Sequence, residues 1–335
     1  DLTGTSKCCL SCQTLFYLIA DLRICTFTAI FLFAISIGDQ ESFCLPTMLL
    51  SIIHRTIYRY SDSARDSVNE LRLSPEETAR QSPQSCTLEI SPPATLTSSR
   101  DLFGNLVHSF TVEKDHTQLS VTGRSLVETR SCPHLVYRSH TIPLDRFPAD
   151  HRDDLPYDFL TESSCVPRDP QTWREALDVK ARSSRSWGHL LTNLRNHIFE
   201  TCTYHEQKVH VMRTATEVQR ERIGTCQDFA HLMIAQLRSL KIPARYCSGY
   251  LYDSGLDGKK SPELLGAAVT HAWVEALVPD IGWLGIDPTN RCWVDERYVS
   301  VASGRDYHDI VPIRGSLLGG GKHRSLDILL HVKAV

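Results

Sequence analysis

The sequence predicts an α+β protein in which a buried helix packs on an antiparallel sheet, with a β-sandwich-like region ahead of it. Three observations carry that prediction. Short β-prone runs separated by turn residues fill residues 48–130. From Cys226 to about Leu240, apolar side chains cover so wide a helical face that the helix has to be enclosed. Residues 270–278 and 283–287 alternate as strands do, on either side of a short turn.

At 335 residues the chain has room for two domains, each with its own core. The expected division is a β-rich domain at 48–130, an irregular linker at 131–184 and a second, catalytic domain at 185–335. With 41% hydrophobic and 22% charged residues, the composition is that of an ordinary soluble protein. A net charge of −3 gives no electrostatic basis for nucleic acid or anionic lipid as a partner. The 15 histidines are scattered, not paired at metal-ligand spacing. Gly319-Gly320-Gly321-Lys322 is not a phosphate-binding loop, because Ser316 and His323 replace the Gly and Ser/Thr it needs.

Residues 1–47 differ from the rest. They hold Cys8, Cys9, Cys12, Cys25 and Cys44 and the longest apolar run, at 24–37, and they contain no Met. That run is shorter than the roughly 20 residues a spanning helix needs. Extending it backwards takes in Asp21 and Arg23. The stretch is expected to be foreign to the folded protein, the product of an extended reading frame, with a membrane anchor as the alternative. Cys9 and Cys12 form a lone CxxC without the second pair of a zinc site. From Met48 on, the cysteines are odd in number and widely spread, which suits a reducing compartment. The cytoplasm is the expected location.

Residues 49–60 mix Ile and Tyr with polar positions, the pattern of an edge or half-buried strand. Gly104 and Asn105 mark a turn, and strands are expected at 106–112, 118–121 and 125–128. Residues 142–170 hold too many Pro and Asp residues for regular structure. Trp187, Leu190, Leu191, Leu194 and Ile198 form one helical stripe. Lys241-Ile242-Pro243 ends the buried helix, and a strand at 244–252 precedes the hairpin.

The chemistry gathers on this second half. Thr225 and Asp228 form a capping pattern that starts the helix beside Cys226, where free N–H groups and the helix dipole favour a thiolate. In the hairpin, Ala272, Val274, Ala276 and Val278 point to the core, while His271 and Trp273 point the other way. If Leu277 pairs with Trp283, Asp287 becomes a diagonal neighbour of His271 on one face. A one-residue slip would separate them. Cys226 as nucleophile, His271 as base and Asp287 as its orienting acid are the parts required for acyl transfer through a thioester. That chemistry needs no metal or organic cofactor.

The blocks Gly224-Thr225-Cys226-Gln227-Asp228-Phe229-Ala230-His231, Ile242-Pro243-Ala244-Arg245-Tyr246-Cys247-Ser248-Gly249-Tyr250, His271-Ala272-Trp273-Val274-Glu275 and Asp287-Pro288-Thr289-Asn290 resemble the transglutaminase-like cysteine-enzyme superfamily. The likeness runs from Met48 to the C-terminus and is strongest to the bacterial and archaeal branch, which carries a β-rich N-terminal region. It implies a papain-like core with Cys226, His271 and Asp287 as a catalytic triad. Thr225 stands where Val is also common, and residues 1–47 have no counterpart.

Three functions fit these residues: a thiol amidase or peptidase acting on peptide or isopeptide bonds, an acyltransferase that joins Gln side chains to amines, and an idle peptide-binding module. A peptide or protein substrate is expected in each case. Asp228 reads as a cap, His231 as packed or solvent-facing, and Cys247 and Cys292 as core thiols. Trp273 and Trp283 either wall a groove or pack, and Tyr204 is a candidate oxyanion donor.

Overall fold

The computed structural model describes residues 46–145, 155–205, 212–256, 264–266, 270–321 and 324–335. The Cys-rich, apolar stretch singled out above, with its CxxC, lies outside the described residues except for its last two positions. The chain opens with strands β1 (Thr47–Leu71), β2 (Gln81–Ser91), β3 (Thr97–Arg100), β4 (Leu106–Val112) and β5 (His116–Arg130). Helices α1 (Pro133–Ser139), α2 (Pro170–Arg182) and α3 (Trp187–Thr201) follow, then β6 (Thr203–Tyr204), α4 (Ala215–Glu221), β7 (Ile223–Gly224) and α5 (Cys226–Ser239). The remainder is β8 (Ala244–Leu251), β9 (His271–Val278), β10 (Gly282–Asp287), β11 (Cys292–Trp293), β12 (Tyr298–Gly304), β13 (Ile313–Gly319) and β14 (Arg324–Ala334).

The β-rich region is one seven-stranded sheet, among the described residues, curled around its own core. Strand β1 runs through its middle. Strands β5 and β4 follow each other along one side of it, and β14 and β13 along the other, all antiparallel to β1. The buried positions of β1 are even-numbered from Leu50 to Thr56 and odd-numbered from Ser67 to Leu71. A bulge between Arg65 and Val68, with Asp66 at φ 50, makes that change of parity and bends the strand, so one face stays inward throughout.

One expectation about this half is resolved and three are corrected. Residues 49–60 are the half-buried strand of the two expected alternatives, central instead of at an edge, because β14 returns from the far end of the sequence to cover the open side. The C-terminal residues assigned to the catalytic domain therefore supply β13 and β14 to the N-terminal sheet. The runs at 118–121 and 125–128 are one strand, β5. The linker at 131–184 is also more regular than its composition suggested. Asp169 accepts from the Thr172 backbone N–H at 2.7 Å and Pro170 occupies the first helical turn, so the Asp-Pro pair starts α2.

The second half follows the expected plan. Its five strands take the order β11-β10-β9-β8-β12, all antiparallel, and α5 lies across one face. Phe229, Leu232, Met233, Ile234 and Leu237 of the helix pack with Ala272, Val274, Ala276, Leu284 and Ile286 of the hairpin. The α3 stripe from Trp187 to Ile198 closes the same core. Leu232 is fully enclosed, and Leu232→Ala is expected to cost about 2–5 kcal/mol. A thermal melt followed by circular dichroism checks this; an unchanged midpoint would contradict the packing described.

The two halves share a seam. Leu50, Ile52 and Val127 of the curled sheet meet Tyr250, Tyr252, Val299 and Val301 of the second sheet. His54 lies in this seam with Nδ1 3.1 Å from the Tyr250 hydroxyl, and burial pushes its pKa down to about 4, so the ring is neutral there.

Candidate active site

Two short devices place Cys226. Helix α4 ends with Arg222 in the left-handed region (φ 57), and β7 then pairs with β6, Gly224 opposite Tyr204. A Cβ on Gly224 would stand 2.6 Å from Asp228 Cβ, so glycine is what lets Asp228 fold back over the helix start. Asp228 Oδ2 accepts the Thr225 backbone N–H at 2.8 Å and its hydroxyl at 3.1 Å. Burial pushes the Asp228 carboxyl above its usual pKa while these two bonds pull against it. Helix α5 therefore begins at Cys226, whose sulfur is buried at the positive end of the helix.

The hairpin takes the expected register. Trp283 pairs with Leu277 and Ile286 with Val274, over a turn in which Asp280 and Gly282 have positive φ. His271 and Asp287 thus come together: His271 Nε2 donates to Asp287 Oδ2 at 2.7 Å, both side chains fully enclosed. Burial alone would lower the His271 pKa. The Asp287 charge and hydrogen bond, with a smaller part from Cys226, outweigh it and raise the value to about 10. Burial likewise works to raise Asp287, but the His271 charge and its hydrogen-bond donors hold it below the usual carboxylate range.

Asp287 is the best-supplied acceptor in the site. Its Oδ1 accepts the backbone N–H of Thr289 at 2.7 Å and of Asn290 at 3.2 Å, a tight Asx turn that Pro288 suits. Its Oδ2 also accepts Asn290 Nδ2 at 2.9 Å and the Tyr298 hydroxyl at 2.7 Å. The other His271 nitrogen, Nδ1, has no hydrogen-bond partner among the described residues. It faces the thiol: a Cβ on Gly266 (φ +79) would lie 2.7 Å from Nδ1 and 3.7 Å from Cys226 Sγ. Gly266 is carried by Leu265, whose N–H and C=O are both bonded to the Asn290 carboxamide, at 2.9 and 3.2 Å. The arrangement can take a proton from sulfur onto a ring that a carboxylate orients from behind.

Comparisons with known proteins identify the family and the fold. A family profile for the bacterial transglutaminase-like N-terminal region matches residues 50–128, and one for the transglutaminase-like superfamily matches residues 178–288. A Mycobacterium tuberculosis protein is 34% identical over 289 residues, covering 84% of this chain and 91% of its own length. The chain belongs to the transglutaminase-like superfamily. The crystal structure of a Cytophaga hutchinsonii protein, proposed to be a cysteine protease, matches with a TM-score of 0.67 at 20% identity. It covers 87% of this chain and 91% of that one, and it shows the shared fold. A shorter match, 40% identical over 68 residues, is to a protein-glutamine gamma-glutamyltransferase of Pseudomonas aeruginosa, covering 20% of this chain and 10% of that protein.

Within this transglutaminase-like core the remaining residues singled out earlier fall into place. Tyr204 is half-buried beside Gly224, its ring centroid 6.3 Å from that of Phe229. His231 is fully buried, stacked 5.0 Å over Tyr246 and accepting the Tyr307 N–H, so it is packed and away from solvent. Cys247 is enclosed in the core. Cys292 is only half-buried, with its sulfur 3.1 Å from the Tyr298 hydroxyl. Trp273 packs against both His271 and Tyr298, and Trp283 lies under the Arg245 guanidinium at 4.4 Å. Among the described residues, no three His, Cys, Asp or Glu side chains gather to hold a metal ion. No helix among them is long and apolar enough to cross a membrane. The sequence reading assigned no role to Asn290, Tyr298 or Gly266. Asn290 lay inside a quoted motif and its Asx turn was foreseeable; nothing local marks the other two.

Proposed function

We propose that this chain is a thiol enzyme that cleaves amide, peptide or isopeptide bonds through Cys226, His271 and Asp287. The observation that carries the proposal is His271, held by Asp287 on one nitrogen and presenting the other to the Cys226 sulfur. His271 Nδ1 already holds the proton given up by the thiol, in keeping with its raised pKa, and the sulfur attacks the carbonyl carbon as thiolate. The backbone N–H of Cys226, unused by the helix, is placed to donate to the resulting oxyanion. The imidazolium then protonates the departing amine, leaving a thioester on Cys226. Water, deprotonated by the now neutral His271, releases the acid and restores the thiol. Asp287 stays ionised throughout and keeps the proton-bearing Nε2 turned away from sulfur.

Hydrolysis is the primary reading, because water needs no binding site to reach a thioester, whereas transfer needs a place that holds an amine. The short match to a glutamyltransferase favours the second reading, with an amine as acceptor in the same final step. A panel of peptide amides, incubated with and without a primary amine and followed by mass spectrometry, separates them. Free acid in both arms supports hydrolysis, and an amine adduct in the second arm supports transfer. Unaltered peptides across a broad panel would count against catalysis and for a peptide-binding role.

A further inference from the structure

We propose that Tyr298 is a positioning residue for Asp287, and that the N-terminal sheet holds Tyr298 in place and so belongs to the catalytic apparatus. The proposal rests on the thiol-enzyme reading above and adds to it a task for the β-rich region.

Tyr298 opens β12, the edge strand of the catalytic sheet. An edge strand leaves a row of backbone groups without a ladder partner. Here side chains of the curled sheet take that place. The Gln81 carboxamide donates to Ser300 O and accepts from Ser300 N, both at 2.7 Å. The Asn105 carboxamide does the same to Ser303, both at 2.8 Å. Each amide thus mimics one rung of a neighbouring strand. In a regular strand, residues three apart would turn these groups to opposite sides. The pairing of β12 with β8 shifts between Ser300 and Ala302, and that irregularity brings Ser300 and Ser303 to the same side.

The grip extends to the approach to Tyr298. One Arg80 nitrogen donates to Val294 O at 2.9 Å and Asp295 O at 3.0 Å, and the Thr129 hydroxyl donates to Glu296 O. Asn105 is itself fixed by Asp101, which is paired with Arg72 at 3.0 Å. Residues 294–303 are therefore held on both sides of Tyr298 by side chains of the N-terminal region.

At the other end of the Tyr298 ring is the catalytic acid. The hydroxyl donates at 2.7 Å to Asp287 Oδ2, the oxygen that also faces His271. The ring stands edge-on to Trp273, centroids 5.4 Å apart at 78°, so its direction is set by packing. The backbone donors to Asp287 come from its own turn and move with it; Tyr298 reaches it from another strand. That external donor fixes which carboxylate oxygen meets the imidazole. Asp287 is faced by His271 from β9, Tyr298 from β12, Cys292 from β11 and the Arg195 guanidinium from α3, besides Asn290 of its own turn. Of these groups, Tyr298 is the one gripped on both sides by the N-terminal sheet.

The test is iodoacetamide labelling of Cys226 in the full chain, followed by peptide mass spectrometry across the acid and neutral pH range. Tyr298→Phe keeps the ring and removes the bond to a charged acceptor, so labelling is expected to slow about tenfold. Its acid limb should move to higher pH, because Asp287 has lost a donor to its anion. Gln81→Leu and the isosteric Thr129→Val should shift the limb in the same direction by less. Thr129→Val removes only a side-chain donor and serves if Gln81→Leu does not fold. A Tyr298→Phe protein with the wild-type rate and limb overturns the positioning role. A shifted Tyr298→Phe protein beside an unshifted Thr129→Val and Gln81→Leu overturns the part given to the N-terminal sheet. If wild-type Cys226 labels no faster than Cys247, the thiol-enzyme reading itself fails, whatever Tyr298 does.

Discussion

Cys226→Ala is expected to abolish turnover and leave the fold in place. Loss of the nucleophile from a working triad costs about 10⁶ in rate, so the variant should be silent in any peptide-amide assay. The thiol is small and sits at a helix start fixed by Thr225 and Asp228, neither of which depends on sulfur. The melting midpoint should therefore change little. Three other described thiols are poor substitutes. Burial pushes Cys292 to about 11 and Cys165 to about 12, and holds Cys247 well above its ordinary value, so these sulfurs stay protonated. Intact-mass analysis during turnover provides the second check: wild type should show one acyl adduct, mapped to Cys226. Turnover retained by the alanine variant, or an adduct on Cys292, would refute the assignment.

Asp287→Asn has the second largest expected effect, on rate and on pH dependence together. Neutralising the orienting acid of a triad can cost about 10⁴ in rate, through the wrong imidazole tautomer. In this site it also removes the charge that lifts His271 above its ordinary value. In the wild-type protein the His271 imidazolium persists until the pH approaches about 10. In the variant the alkaline limb of activity should fall at lower pH.

Stability follows the same pair. Because the folded His271 value is raised above 6.5, its contribution is complete below that pH and is lost as pH climbs towards about 10. Because Asp287 is lowered below 3.8, its contribution is complete above that pH and is lost as pH falls through the native value. The difference in melting temperature between wild type and Asp287→Asn should thus be greatest in the mildly acid range and shrink in alkali. Breaking a buried pair costs on the order of 3 kcal/mol. A variant with an unchanged alkaline limb and a pH-independent stability loss would show that the pair is not the coupled unit described.

Local pattern carried the second half of the fold because each element there announces itself over a few residues. The α3 stripe, the wide apolar face of α5 and the alternation of β9 and β10 are all short-range signals, and the hairpin register follows from one turn. The same hairpin brings His271 to Asp287, so that contact was legible before any coordinates. The β-rich half was harder. Strand β1 gains its central place from β14, some 270 residues later, and its inward face survives only through a bulge at Asp66. Composition misled in the linker at residues 131–184: an Asp-Pro pair marks a loop in one context and a helix start in another. What decided for helix is the docking of Thr172, Ala176 and Val179 into a core built by distant residues.

The sequence by itself determined the local setting of Cys226 and the hairpin that joins His271 to Asp287, because capping, alternation and turn length act between residues close along the chain. Only the tertiary structure decided what surrounds the carboxylate. Tyr298, Gln81, Asn105 and Gly266 act through contacts between segments far apart in sequence, and no periodicity records which distant strand end will meet which oxygen. Their placement depends on packing two sheets together, which is a property of the whole folded chain.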